Sequence, residues 1–274
     1  MKQLNKPQQA KKMIMLSFLT AMVSLPLSMS IVHAQTPEEK GLSIAKESDV
    51  RDTGWGDSQA KMKMILRNKA GKESDREVRI RNLEVQGDGD KSMSIFDKPG
   101  DVKGTTFLSH THVKKSDDQW LYLPAVKRVK RISSANKSGP FMGSEFSFED
   151  LSSQEVDKYQ HIFVSEETID GRTTFKLEQI PTYAKSGYKK RITWIDQEHY
   201  YPIKIEFYDR KNALLKTLEF KDYQQYLDKY WRAGKMVMNN HQNGKSTDLV
   251  WEGYQFNVGL QDKDFSQSAL KRVR

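Results

Sequence analysis

The chain has 274 residues, sets 45 Lys and Arg against 36 Asp and Glu for a formal net charge of +9, and contains no cysteine. That length fits one large domain or two small ones. The missing thiols exclude disulfide staples, paired-cysteine metal sites and a lipid-modified N-terminal cysteine.

The first residues account for much of the basic excess. Lys2, Lys6, Lys11 and Lys12 precede an apolar stretch from Met13 to Ile31, and Val32-His33-Ala34 places small residues where a signal peptidase reads. The pattern predicts a cleavable secretory signal ending after Ala34, hence an exported protein; Pro26 interrupts the apolar run and argues against a membrane anchor. Removal of residues 1–34 leaves 240 residues, read as a single domain because no linker divides them, and takes the net charge to +5. A modestly basic exported chain fits anionic lipid headgroups or an acidic protein surface better than nucleic acid.

Thr36-Pro37-Glu38-Glu39 reads as a helix start: a threonine cap, proline in the first turn and acids at the positive end of the dipole. Leu42, Ile44 and Ala45 supply its apolar face, and Gly54-Trp55-Gly56 ends it. Beyond Ser58 the period becomes two. Met62, Met64 and Leu66 alternate with Lys61, Lys63 and Arg67, and Val78 and Ile80 alternate with Arg79 and Arg81. Turn signals then recur every ten to fifteen residues or so, bounding strands near 91–96, 105–113 and 120–123 and, further on, 160–164, 173–179, 188–195, 202–208, 214–223, 230–239 and 245–256. The expected architecture is mainly β, one antiparallel meander in a sheet of about ten strands that curls around an apolar concavity.

The stretch from Trp120 to Leu151 stands apart. Pro124 stops a short aromatic strand; Lys127, Arg128, Lys130 and Arg131 follow, interleaved with Val126, Val129 and Ile132, as a basic hinge with one apolar side. Gly139-Pro140 then breaks the chain, and Phe141, Met142, Phe146 and Phe148 follow within a few residues. Large apolar groups on a loop are either packed under something or offered to a ligand. With the N-terminal helix, the Ala125–Leu151 region is the candidate lid of the concavity, and Ser147 is the cap of a short helix with Asp150 at its third position.

Here the chain resembles a known family. The run from Asp117 to Ser133, with Trp120-Leu121-Tyr122-Leu123-Pro124-Ala125 at its centre, and the run Gly139 to Leu151 are similar to the outer-membrane lipoprotein-sorting-like proteins of bacteria, often associated with RND-superfamily exporters. Pro99-Gly100-Asp101-Val102-Lys103-Gly104-Thr105 and Tyr200 to Tyr208 support the match. The resemblance covers nearly all of residues 36–270. It implies a fold like those of the carrier LolA and the receptor LolB: an unclosed, strongly curved antiparallel β-barrel whose lidded cavity would hold acyl chains.

On that implication, Met62, Met64, Val78, Ile80, Phe107 and Leu121 line the cavity, together with Leu123, Phe175, Leu177, Ile203, Ile205 and Phe207. Alternation alone favours a filled core, and the resemblance reverses that. Phe141, Met142, Phe146 and Phe148 form a mobile gate or a fixed plug, and replacing Phe141 or Phe146 by Asp is expected to weaken acyl binding with the fold intact. Lys127, Arg128, Lys130 and Arg131 form a basic rim for lipid phosphates or an acidic partner, or a solvated edge strand. No cofactor is expected. His110-x-His112 lacks a third ligand, and Gly143-Ser144-Glu145 lacks the second glycine of a nucleophile elbow. The chain therefore reads as a non-enzymatic carrier of lipid or lipoprotein acyl chains beside an exporter, as an exporter's adaptor with a filled cavity, or, on much less support, as a lipid-modifying hydrolase.

Overall fold

The computed structural model describes Met1 and residues 34–272; the expected signal segment falls on residues outside the described ones. Helix α1 (Pro37–Arg51) begins where the threonine cap places it. Glu39 N–H donates to Thr36 Oγ1 at 3.1 Å and Thr36 N–H donates to Glu39 Oε2 at 2.9 Å, a reciprocal box that satisfies two orphan donors. Its buried face is Gly41, Ile44 and Ala45, whereas Leu42, expected on that face, is 38 % exposed.

Thirteen antiparallel strands make one sheet: β1 (Asp57–Arg67), β2 (Glu73–Leu83), β3 (Lys91–Lys98), β4 (Thr106–His110), β5 (Asp118–Leu123), β6 (Arg128–Ile132), β7 (Tyr159–Ile169), β8 (Arg172–Pro181), β9 (Tyr188–Asp196), β10 (Pro202–Asp209), β11 (Leu214–Tyr226), β12 (Tyr230–Asn240) and β13 (Ser246–Phe256). Every strand but β6 falls where alternation places one. The basic segment is that missing strand, paired to β5 with Leu121 opposite Lys130 and Leu123 opposite Arg128.

The spatial order runs β6-β5-β4-β3-β2-β1-β13-β12-β11-β10-β9-β8-β7. Two meanders, β1–β6 and β7–β13, thus join through the β1/β13 pair, in place of the single meander expected. Strands consecutive in the chain, β6 and β7, become the two opposite edges, and the curved sheet stays open between them. The connection from Ser133 to Lys158 must therefore pass between edges rather than turn a hairpin.

Register fixes which side chains share a face. Leu177 lies opposite Thr193, Thr193 opposite Ile205, Ile205 opposite Leu218 and Leu218 opposite Met238; at the other end Met62 faces Val78, Val78 faces Phe96 and Phe107 faces Leu121. This inner face carries the main apolar cluster and is covered by α1 over β7–β9 and by the β6–β7 connection elsewhere. The outer face of β3–β5 is apolar too. Met93, Ile95 and Leu108 are fully buried there under Phe265, Ala269 and Leu270 of the C-terminal tail.

Candidate functional site

Met62, Met64, Val78, Phe107, Leu121, Ile205 and Phe207 meet in one buried cluster, with Ile80 and Leu123 partly buried against it. Phe96, Ile132, Leu218, Met238 and Leu249 complete it. Phe175 and Leu177 depart from the expected lining: they lie under α1 in a separate cluster with Ile44 and Ile195. Ile203 is half-buried and belongs to neither.

The face is filled, and the filling comes from the β6–β7 connection. Phe141 and Phe146 are 1 % and 2 % exposed; the Phe141 ring lies 5.8 Å from Phe96, 5.2 Å from Phe107 and 5.5 Å from Phe148. Met142 and Phe148 are half-buried. The segment is bonded to itself first. Phe141 N–H donates to Phe146 O at 2.7 Å, Ser144 N–H to Phe141 O at 2.9 Å and Phe148 N–H to Gly139 O at 3.2 Å. Met142 and Gly143 both have positive φ, 49° and 77°, as a type I′ turn requires. Ser144, in this light, is a turn residue whose hydroxyl donates to Phe141 O. The short helix expected after Ser147 is a single 3₁₀ turn, Glu149–Leu151, with Phe148 at its cap position; Ser147 stands one residue earlier and still exchanges bonds with Asp150, Ser147 N–H donating to Asp150 Oδ2 at 2.7 Å and Asp150 N–H to Ser147 Oγ at 3.3 Å.

Polar groups tie this plug to the sheet. The Arg76 guanidinium on β2 donates to the Met142 carbonyl. Lys216 on β11, 3 % exposed and directly opposite Phe207, donates to Glu145 O at 2.9 Å and to Asp150 Oδ2 at 2.6 Å. Tyr188 Oη donates to Asp150 Oδ1 at 2.7 Å, Glu145 N–H donates to Thr247 Oγ1 at 3.0 Å, and Gln119 Nε2 donates to Phe148 O at 2.9 Å. Burial pushes the Tyr188 phenol well above its ordinary value, with the Asp150 charge adding to it. It also pulls the Arg76 guanidinium down, a loss that Asp101 partly offsets. A groove of about 380 Å³ opens beside the plug's tip between Leu66, Arg67, Gly143, Glu145 and Thr247.

Arg76 and Lys216 were not among the residues singled out from sequence, yet a signal was available. Each occupies an inner parity in an otherwise apolar series, Arg76-Val78-Ile80 and Lys216-Leu218-Phe220.

The basic segment does not present one charged side. In strand β6, Arg128 and Lys130 share a face and Arg131 takes the other, where it pairs with Asp118. Lys127 sits in a left-handed turn just before the strand. All four are exposed on an open sheet edge. His110 and His112 serve different ends: His110 Nε2 bonds Phe265 O at 2.7 Å and so holds the C-terminal tail, whereas His112 lies between Asp88 and Asp118. Among the described residues no helix is long and apolar enough to cross a membrane.

An open, strongly curved antiparallel sheet with a helix and a crossover loop on its apolar inner face defines a LolA-like fold. It is similar, at 20 % identity and a TM-score of 0.67, to a LolA superfamily protein from Nitrosomonas europaea, with 84 % of this chain and 98 % of that one covered. A domain provisionally described as an outer membrane lipoprotein-sorting protein, from Vibrio parahaemolyticus, is 60 % identical over 86 % of this chain and 100 % of its own, with a TM-score of 0.85. A DUF1329 family protein from Desulfovibrio piger is 30 % identical over 86 % and 99 %, with a TM-score of 0.81. A family model described as "-like: Uncharacterized protein" matches residues 88–272. No curated protein matches the chain. The chain belongs to the outer-membrane lipoprotein-sorting-like family that these structures represent.

Proposed function

We propose that the chain is exported through a cleavable signal ending at Ala34, and that residues 35–274 act in the periplasm as one carrier domain. It takes acyl chains of lipids or lipoproteins against the inner face of the sheet and passes them between membranes, or to or from an RND-type exporter, without catalysis. The observation that carries this reading is the origin of the filling. The strands leave an apolar face, and what occupies it is a self-bonded turn from the β6–β7 connection, tied to the strands by side-chain hydrogen bonds. A segment with its own hydrogen bonds can leave as a unit and lose few of them, and each CH₂ that takes its place is worth about 0.8 kcal/mol. Arg128 and Lys130, on the open edge next to that face, are the contact for anionic headgroups or an acidic partner.

Native mass spectrometry and lipid extraction of the processed protein purified from the periplasm test the reading. Stoichiometric acyl-chain lipid is expected. Repeatedly empty protein that also fails to bind acyl probes would overturn it in favour of an exporter's adaptor with a permanently filled sheet.

A further inference from the structure

The plug has the chemistry of the cargo it would exclude. Its rings fill the hydrocarbon positions beside Phe96 and Phe107, while a carboxylate four residues beyond Phe146 sits on a buried ammonium. Lys216 and Asp150 each have side chains only 4 % exposed. A lysine there is costly in a static core, because removing an ammonium from water is repaid only by close partners and an apolar residue of similar volume packs at least as well. Every oxygen recorded on Lys216 Nζ belongs to the plug: the Glu145 carbonyl and the Asp150 carboxylate. The oxygen recorded on Arg76, the Met142 carbonyl, belongs to it as well. Withdrawal of the plug would therefore leave Lys216 without an oxygen partner beside an apolar surface, and Arg76 with only the Asp101 charge. A bare cation in that setting demands an anion.

We propose that Lys216, assisted by Arg76, is the headgroup site for an anionic amphiphile, whose carboxylate or phosphate replaces the Asp150 carboxylate while its acyl chain replaces Phe141 and Phe146. The inference rests on the carrier reading and narrows it to cargo with a negative group next to its chain. Phe207 lies directly opposite Lys216 and the Lys216 ammonium is 5.2 Å from its ring centroid, so head and tail positions adjoin. Selectivity follows from the cost of leaving the ammonium unpaired. A neutral amphiphile of equal length fills the apolar face and strands the charge.

The test compares three probes of one chain length on the processed protein by calorimetry: palmitate, palmitoyl lysophosphatidate and monopalmitoylglycerol. Both anionic probes are expected to bind at least about tenfold more tightly than the neutral one, and their ratio tells a free carboxylate from a lipid phosphate as the natural head. In the pair Lys216→Met with Asp150→Asn, which leaves no lone buried charge, the anionic preference collapses while neutral binding persists. Asp150→Asn alone, which frees the ammonium, raises anionic affinity more than neutral affinity. Equal binding of all three probes by the unaltered protein, or a preference that survives loss of Lys216, overturns the headgroup site and leaves the carrier standing. Failure of every probe to bind overturns both.

Discussion

Phe141 shows how one side chain changes meaning with its surroundings. As a loop phenylalanine it reads as a mobile gate or a fixed plug, and its replacement by Asp as one that weakens acyl binding with the fold intact; at 1 % exposure among Phe96, Phe107 and Phe148, the same replacement puts a charge into the apolar cluster. The informative substitution is Phe141→Ala. Removing a buried ring costs about 3–5 kcal/mol in general, and here that loss falls on the contact between plug and sheet. Phe141→Ala is expected to lower the melting temperature yet raise the affinity for an acyl probe, because the competitor for the inner face is weakened. Lower stability with weaker probe binding would make Phe141 part of the binding surface instead. Lys216 was passed over for a related reason. Alternation reports the parity of a position, not what lies across from it.

At the scale of elements, α1 owes its seat to Gly41. A Cβ there would meet the His161 carbonyl oxygen at 2.7 Å and the Phe163 nitrogen at 2.8 Å, both main-chain atoms of β7 that cannot swing aside. Gly41→Ala brings a helix-propensity gain of about 1 kcal/mol, and the overlap forces α1 off the strand against a packing loss of about 1–3 kcal/mol. The loss wins, so a lower melting temperature is expected; a higher one would mean that α1 rests more loosely than its contacts imply. The cap of this helix and the period of twelve strands were legible because each is a local property: a hydroxyl three residues from a glutamate, or alternation along one strand. Strand β6 was legible only as an alternative, the solvated edge strand weighed against a basic rim. Its charges at Arg128, Lys130 and Arg131 hide the pattern, and they are tolerated because it is an edge, where charge also discourages pairing with another chain.

For the whole molecule, the β1/β13 pairing was the feature that local pattern could not carry. It joins strands about 190 residues apart in sequence and converts one meander into two, which is why the Ser133–Lys158 connection enters the concavity. The outer face was missed for the same reason: the tail after Phe256 has no periodicity, yet Phe265 and Leu270 bury Met93, Ile95 and Leu108. Deleting residues 257–274 should expose that patch, lower the melting temperature and cause self-association on size-exclusion chromatography. A truncated chain of unchanged melting temperature and elution would show the tail to be dispensable.

The plug is attached at both ends, to β6 on one side and β7 on the other. On the carrier reading it is thus an inhibitor that dilution never removes, present at the millimolar order of effective concentration typical of a short tether. Cargo binding at equilibrium is then a displacement, with an apparent affinity below the intrinsic one by the plug's own docking constant. Unloading gains from the same tether: the site is refilled from within as the chain departs, so the work to be supplied by another protein lies in loading.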